Sequence, residues 1–189
     1  MPNYRRAFVP GGCWFFTVNL LGRSQALLVD HVDVLRDAVA ATRQDYPFTI
    51  DALVVLPDHL HAVWTLPDGD ADFSIRWRLI KTRFAMALPK TEPLSAVQIA
   101  GKERGIWQNR FWEHLIRDAT DYARHVECCY INPVKHGHVP RVRDCPHSSF
   151  HRDVRAGLFP EIGREVAMRR GNSANVCDCR GRSADYAFG

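Results

Sequence analysis

The segment 54–64, Val-Val-Leu-Pro-Asp-His-Leu-His-Ala-Val-Trp, constrains the fold more than any other part of the chain. Its β-branched and aromatic residues predict a strand that starts after the Pro57-Asp58 turn. Because successive side chains of a strand point to opposite faces, His59 and His61 project to the same side and Leu60 turns into the core. The pattern therefore predicts two imidazoles side by side on one face of a sheet.

Such a pair of histidines has two interpretations. Neutral imidazole is a good ligand for a divalent ion, and two protein nitrogens leave coordination positions open for water or a phosphate. An open site of this kind suits catalysis. Alternatively, the two histidines lie on an exposed strand and bind nothing. The spacing by itself does not separate a metal site from an unliganded pair.

Turn signals and hydrophobic periodicity predict the element order β-α-β-β-α-β-α. Asp30 is the expected N-cap of the first helix, Asp118 or Thr120 caps the last one, and Pro133 is expected to interrupt that helix. The order is that of an α+β, ferredoxin-like (split βαβ) domain, in which helices pack on one side of an antiparallel sheet, here extended by one helix. The predicted strands are 13–20, 48–56, 59–66 and 111–116, and the predicted helices are 32–46, 73–87 and 118–132.

Length and composition fit one domain with a tail. Of the 189 residues, 46% are hydrophobic, which is ample for one core. We predict a catalytic domain over 1–163, a long mobile loop over 89–105, and a basic, disordered tail over 164–189.

The chain has neither an apolar run of membrane-spanning length nor an N-terminal signal segment, so we expect no membrane contact and a cytoplasmic, nucleoid-associated protein.

Basic and aromatic residues are interleaved along the chain, and the net charge is +4. Such mixing is typical of surfaces that neutralise a nucleic-acid backbone and stack unpaired bases. Each residue taken singly also fits a solvated cation or a core ring. The candidate nucleic-acid contacts are Arg76, Arg78, Lys81, Arg83, Trp107, Arg110 and Arg152.

The chain resembles the REP-associated tyrosine transposases, relatives of the insertion-sequence transposases that use one tyrosine and a histidine-hydrophobe-histidine (HUH) motif. The resemblance covers roughly residues 4–160 and rests on four segments in one order. These are Pro-Asp-His-Leu-His at 57–61, Trp-Gln-Asn-Arg-Phe-Trp-Glu-His-Leu-Ile-Arg-Asp at 107–118, Asn-Pro-Val-Lys-His-Gly at 132–137 and Ser-Ser-Phe-His-Arg at 148–152.

The resemblance implies a metal-dependent transposase that acts on repeated extragenic hairpin DNA and its single strands. It assigns His59 and His61 to a divalent ion, Mg²⁺ or Mn²⁺, with Asn132 as the third ligand. In the family, a tyrosine one helical turn before that third ligand attacks the phosphorus, which forms a 5′-phosphotyrosine link and frees a 3′-hydroxyl. It favours a monomer over a homodimer.

The chain departs from the family at the nucleophile, because Cys128 stands where the tyrosine is expected. A thiolate forms more readily than a phenolate, yet its sulfur lies nearer the helix axis and does not reach as far. Tyr130 is a second candidate, but two residues further along a helix rotate it by about 200° from position 128. We therefore expect a single-strand endonuclease and strand transferase with impaired cleavage.

Two other functions stay open at this point. One is a non-catalytic protein that binds DNA hairpins, with a salt-sensitive affinity that does not depend on metal. The other is an RNA-binding ferredoxin-like domain that stacks bases on strand aromatics, although this function leaves His59 and His61 unexplained.

Overall fold

A computed structural model describes residues 7–23, 26–90 and 104–159, and within them the predicted element order is confirmed. The strands are β1 Cys13–Asn19, β2 Thr49–Val55, β3 His59–Thr65 and β4 Trp112–Leu115. The helices are α1 Leu27–Asp30, α2 Val32–Asp45, α3 Phe73–Ala87, α4 Ala119–Lys135 and α5 Phe150–Arg155, with a 3₁₀ turn at Val142–Asp144.

The four strands form one antiparallel sheet in the order β2-β3-β1-β4, which is the ferredoxin-like arrangement that the sequence predicts. The central strands β3 and β1 pair along their whole length, from Cys13 opposite Thr65 to Asn19 opposite His59. The shorter β4 pairs with the middle of β1, where Thr17 lies opposite Trp112. Both central strands are therefore covered by neighbours on each edge.

The sheet buries side chains on both of its faces. Trp14, Phe16 and Trp64 point toward α2 and α3, where Trp64 and Trp77 stack with ring centroids 4.1 Å apart. Phe15 and Val63 point the other way, toward α4. The added helix α4 thus covers the face that α2 and α3 leave open, and it is the face to which His59 and His61 belong.

Two helix boundaries differ from the prediction. Asp30 is not the N-cap of α2, because its backbone N–H already donates to Ala26 O at 2.9 Å and so belongs to the short α1. His31 is the N-cap instead. Helix α4 also continues through Pro133 to Lys135, since proline removes only its own N–H while the following turn still closes from His136 N to Asn132 O at 3.0 Å.

The predicted loop and tail lie largely outside the described residues, at 91–103 and 160–189. Where the loop re-enters the described chain, the Arg104 guanidinium donates to the backbone carbonyls of Ala85, Leu88 and Pro89, which ties it to the end of α3. None of the helices in the described part of the chain is long and apolar enough to cross a membrane.

We predict that the N-cap of α4 contributes measurably to stability. The Asp118 carboxylate accepts from Asp121 N at 2.8 Å. Replacing it by Asp118→Ala should lower the free energy of unfolding by about 1 kcal/mol in urea denaturation, because the first turn of the helix loses an acceptor. Asp118→Asn, which keeps a capping oxygen, is the control and should stay close to the parent chain. An alanine variant as stable as the parent would contradict this role.

Candidate active site

His61 is held in one orientation inside the sheet. It is 1% exposed, and its Nδ1 lies 2.9 Å from the hydroxyl of Thr17, the residue opposite it on β1. Its other nitrogen, Nε2, is buried and has no hydrogen-bond partner among the described residues. A buried, unpaired ring nitrogen is costly, so a position of this kind is where a ligand is expected.

His59 is fixed in a similar way by a carboxylate. Its Nδ1 lies 2.6 Å from Asp58 Oδ1, and Asp58 in turn accepts from Arg23 Nε at 2.9 Å. Burial alone acts to raise the pKa of Asp58, but the hydrogen bonds from His59 and Arg23 outweigh it and lower that pKa. The charged carboxylate orients the imidazole and leaves Nε2 as the nitrogen directed away from it.

Asn132 approaches this pair from α4. Its amide Nδ2 donates to Cys128 O at 3.0 Å, which leaves the amide oxygen for other contacts. Burial lowers the pKa of His61 to about 3, while a contact with the Asn132 side chain acts in the opposite direction. The Asn132 side chain therefore lies next to His61 on this face of the sheet.

The three predicted ligands therefore lie together. The rings of His59 and His61 are 5.0 Å apart and nearly perpendicular. Burial lowers the pKa of both imidazoles, so both are neutral at neutral pH and have a lone pair to donate. Two imidazole nitrogens and one amide oxygen suit Mn²⁺ or Mg²⁺ with open positions, so the residues present fit the ion that the resemblance implies.

A cleft opens directly beside His59. The ring of His136, just after α4, lies 5.2 Å from that of His59, and burial lowers its pKa as well. Arg23 contributes a fixed positive charge, with its side chain mostly exposed to solvent. The cleft has a volume of about 300 Å³ and is lined by Arg23, Ala26, Pro57, Asp58, His59, His136 and His138.

Cys128 lies on the same side of α4 as Asn132, whose Nδ2 is 3.7 Å from the sulfur. It is buried, with only 3% of the residue exposed, so its sulfur has little access to a DNA backbone.

Tyr130 points away from the histidine pair. Its hydroxyl donates to the Asp153 carboxylate and lies 3.1 Å from the hydroxyl of Ser149, both near α5. Burial, followed by the bond to Asp153, raises its pKa well above the usual range for a phenol. The geometry therefore agrees with the rotation of about 200° that separates positions 128 and 130 on a helix.

A second cluster of possible metal-binding side chains lies between β4 and the first half of α4. The ligand atoms of His114, Asp121 and His125 all fall within 4.8 Å of one another. However, the Asp121 carboxylate already accepts from the Arg117 backbone and guanidinium and lies 2.9 Å from His114 Nε2. Although burial opposes it, these contacts keep the pKa of Asp121 far below its ordinary value. The cluster is thus a satisfied hydrogen-bond network.

The predicted nucleic-acid contacts on α3 lie on the opposite face of the sheet from the histidine pair. Arg76 is 1% exposed and donates to the carbonyls of Asp72 and Pro47 and to the Asp70 carboxylate, so it stabilises the fold and is not available at the surface. Arg83 is paired with Asp45 at 2.5 Å. Arg78, by contrast, is exposed.

Three of the remaining candidates make contacts within the protein. Lys81 donates to Gln108 O at 2.8 Å and lies over the partly buried ring of Trp107. Arg152 donates to the carbonyls of Ile50 and Asp51, and its side chain is 48% exposed. Arg110 is exposed and lies two residues before β4, so Arg78, Arg110 and Arg152 are the candidates most accessible to a ligand.

Sequence reasoning missed two residues that hold the imidazoles, Thr17 and Asp58. Asp58 had a detectable signal, because a carboxylate directly before a histidine can orient it. Thr17 had none, because its contact with His61 depends on the pairing of two strands that are 44 residues apart.

No protein-family model matches the chain. The chain is 51% identical over 160 residues to a REP-associated tyrosine transposase of Escherichia coli strain K12, covering 85% of this chain and 89% of that protein. A Haemophilus influenzae protein of the same description is 47% identical over 162 residues, covering 85% and 92%. A solved structure of a REP-associated tyrosine transposase bound to a REP hairpin matches with a TM-score of 0.73 at 51% identity, covering 85% of this chain and 89% of that one.

We predict that Tyr130 has a structural role. Tyr130→Phe should lower the free energy of unfolding by about 1–3 kcal/mol, because it leaves the buried Asp153 carboxylate without one of its donors. The imidazole resonances of His59 and His61 in NMR spectra should not move. Tyr46→Phe, at a ring that is 36% exposed, is the control and should change neither quantity. A shift of the two imidazoles in Tyr130→Phe would contradict the assignment.

Proposed function

Because this chain belongs to the REP-associated tyrosine transposases, we propose that it binds hairpin DNA and its single-stranded flank on the α4 face of the sheet. On that face His59, His61 and Asn132 would hold a divalent ion. The single observation that supports this most strongly is the buried Nε2 of His61, which lies beside the Asn132 side chain and has no hydrogen-bond partner in the described part of the chain. A buried nitrogen without a partner costs stability, which a bound ion would recover.

The chain's own residues prepare the site for that ion. Thr17 and Asp58 occupy the Nδ1 atoms of His61 and His59, which directs both Nε2 atoms to the ligand. Asn132 is positioned by the bond from its Nδ2 to Cys128 O. A bound Mg²⁺ or Mn²⁺ would polarise the scissile phosphate.

The cleft beside His59 is the proposed seat of the DNA backbone. Arg23 supplies a permanent positive charge at its edge, and the imidazole N–H groups of His136 and His138 can donate to phosphate oxygens. The cleft is contiguous with the histidine pair through His59. The backbone would therefore pass from the cleft to the three ligands.

We propose that cleavage by this chain is slow. A tyrosine at position 128 would use its phenolate to form a new bond to phosphorus, while the bond from phosphorus to the 3′ oxygen breaks and that oxygen takes up a proton. The Cys128 sulfur lies several ångströms closer to the helix axis than a phenolic oxygen would. We do not assign Tyr130 as its replacement, because its hydroxyl is bound to Asp153.

A non-catalytic hairpin-binding protein is the second candidate function, and the burial of Cys128 favours it. The RNA-binding alternative does not account for a buried imidazole pair beside an amide side chain.

We also propose that the protein works as a monomer, because His59, His61, Asn132 and position 128 come together within one chain.

The metal proposal predicts a direct binding signal. Mn²⁺ titrated by calorimetry should bind the parent chain, and His59→Ala or His61→Ala should weaken binding by at least about tenfold. Thr17→Val should weaken it by about 10–100-fold, because it frees the orientation of His61. His114→Ala, in the second histidine cluster, is the control and should leave the affinity unchanged. If His114→Ala lost Mn²⁺ binding while His59→Ala and His61→Ala kept it, the ion would lie in that other cluster.

The nucleophile proposal predicts a gain of function. With Mn²⁺, Cys128→Tyr should form a covalent adduct with a flanked DNA hairpin, on the order of 100-fold or more above the parent chain, as seen by a mobility shift in denaturing gels. Cys128→Phe supplies the same ring without the hydroxyl and should form none. Vigorous adduct formation by the parent chain would show that the Cys128 sulfur does reach the phosphate. If a Cys128→Tyr variant still bound metal and DNA but formed no adduct, the protein would be the non-catalytic hairpin-binding alternative.

A further inference from the structure

The indole of Trp112 is exposed on the same face of the sheet as the histidine pair. Trp112 is the first residue of β4, and its side chain is 42% exposed. It lies opposite Thr17, which lies opposite His61 on the other side of β1. Residues paired directly across antiparallel strands share a face, so His61, Thr17 and Trp112 form one row. Two interstrand spacings separate the ends of this row, roughly 10 Å.

The indole is held in a fixed orientation by the rings beneath it. It lies nearly parallel to the His114 ring, at 7° and a centroid distance of 5.9 Å, and edge-on to Phe15 at 5.6 Å. His114 stacks on His125 at 4.5 Å, and His125 packs against Phe15 at 4.9 Å. Phe15 also stacks on His61 at 5.5 Å. A continuous set of rings thus connects the exposed indole to the metal-binding face.

The hydrogen-bond network around Asp121 explains why His114 stays in place. Asp121 contacts His114 Nε2 at 2.9 Å and Arg117 Nε at 3.1 Å. The Arg117 side chain is 71% exposed, so it adds a positive charge next to the pair of Asp121 and His114. The His114, Asp121 and His125 cluster therefore has a use other than metal binding, which is to position Trp112.

We infer that Trp112 is a stacking platform for an unpaired base of the DNA strand that passes the histidine pair. This inference rests on the proposed function, and it adds a specific contact to it. An exposed aromatic ring that is fixed in orientation is what proteins use to stack bases of single-stranded nucleic acid without reading their sequence. The row places that base a short stretch of strand away from the scissile phosphate.

The test compares two DNA probes in binding to the full chain. One is a hairpin with a 5′ single-stranded flank that carries 2-aminopurine, and the other is the same hairpin with a blunt end. Trp112→Ala should weaken binding of the flanked hairpin by about 5–150-fold, the range that loss of one base–aromatic stack gives. Trp112→Phe should stay within about threefold of the parent, and the blunt hairpin should bind all three proteins equally.

Matched variants separate stacking from folding. Phe8→Ala removes another exposed ring, before β1 at the far end of the sheet from His59, and should have no effect. If Trp112→Ala loosens β4, Trp112→Leu keeps the apolar bulk without the ring and should show the same loss. Quenching of 2-aminopurine by the parent chain should disappear in either variant.

Two outcomes would overturn the inference, and neither resembles failure of the proposed function. Trp112→Ala and Trp112→Leu could both bind the flanked hairpin as tightly as the parent, or both could weaken the blunt and flanked hairpins equally. Failure of the proposed function is different, since the parent chain itself would then bind neither probe.

Discussion

The register of β1 between β3 and β4 is the constraint on which the site depends. Thr17 faces His61 on one side and Trp112 on the other, so one strand orients the His61 imidazole and aligns the exposed indole with it. A slip of one residue would turn His59 and His61 toward α2 and α3, because strand side chains alternate. The hydrophobic clusters on both faces of the sheet oppose such a change of register, because Phe16 and Phe15 are fully buried on opposite faces.

Burial of the polar groups in the site lowers the stability of the folded protein, and packing elsewhere in the fold offsets that loss. Among the described residues, His61 Nε2 is buried without a hydrogen-bond partner, and burial keeps both imidazoles neutral. Native proteins tolerate a local conflict of this kind mainly where function requires it. Here the large aromatic core on the α2 and α3 face supplies the stability, and the opposite face carries the proposed site.

Helix α4 connects the separate parts of that face. Asp121, His125, Cys128 and Asn132 recur every three or four residues, so one stripe of the helix faces the sheet. Its first half holds the rings beneath Trp112, and its second half brings Asn132 to His61. Because proline interrupts only one hydrogen bond, the helix continues past Pro133 and carries His136 to the cleft.

The sequence by itself determined the element order and the face shared by His59 and His61, and it narrowed the cap of α4 to Asp118 or Thr120, because strand alternation, helical periodicity and capping are local properties. It also placed Cys128 one turn before Asn132. It did not reveal that Arg76 is buried, that α4 covers the face opposite α3, or that Thr17 and Trp112 belong to the row of His61. Those facts depend on which strands pair and in which register, and only packing between residues far apart in the chain decides that.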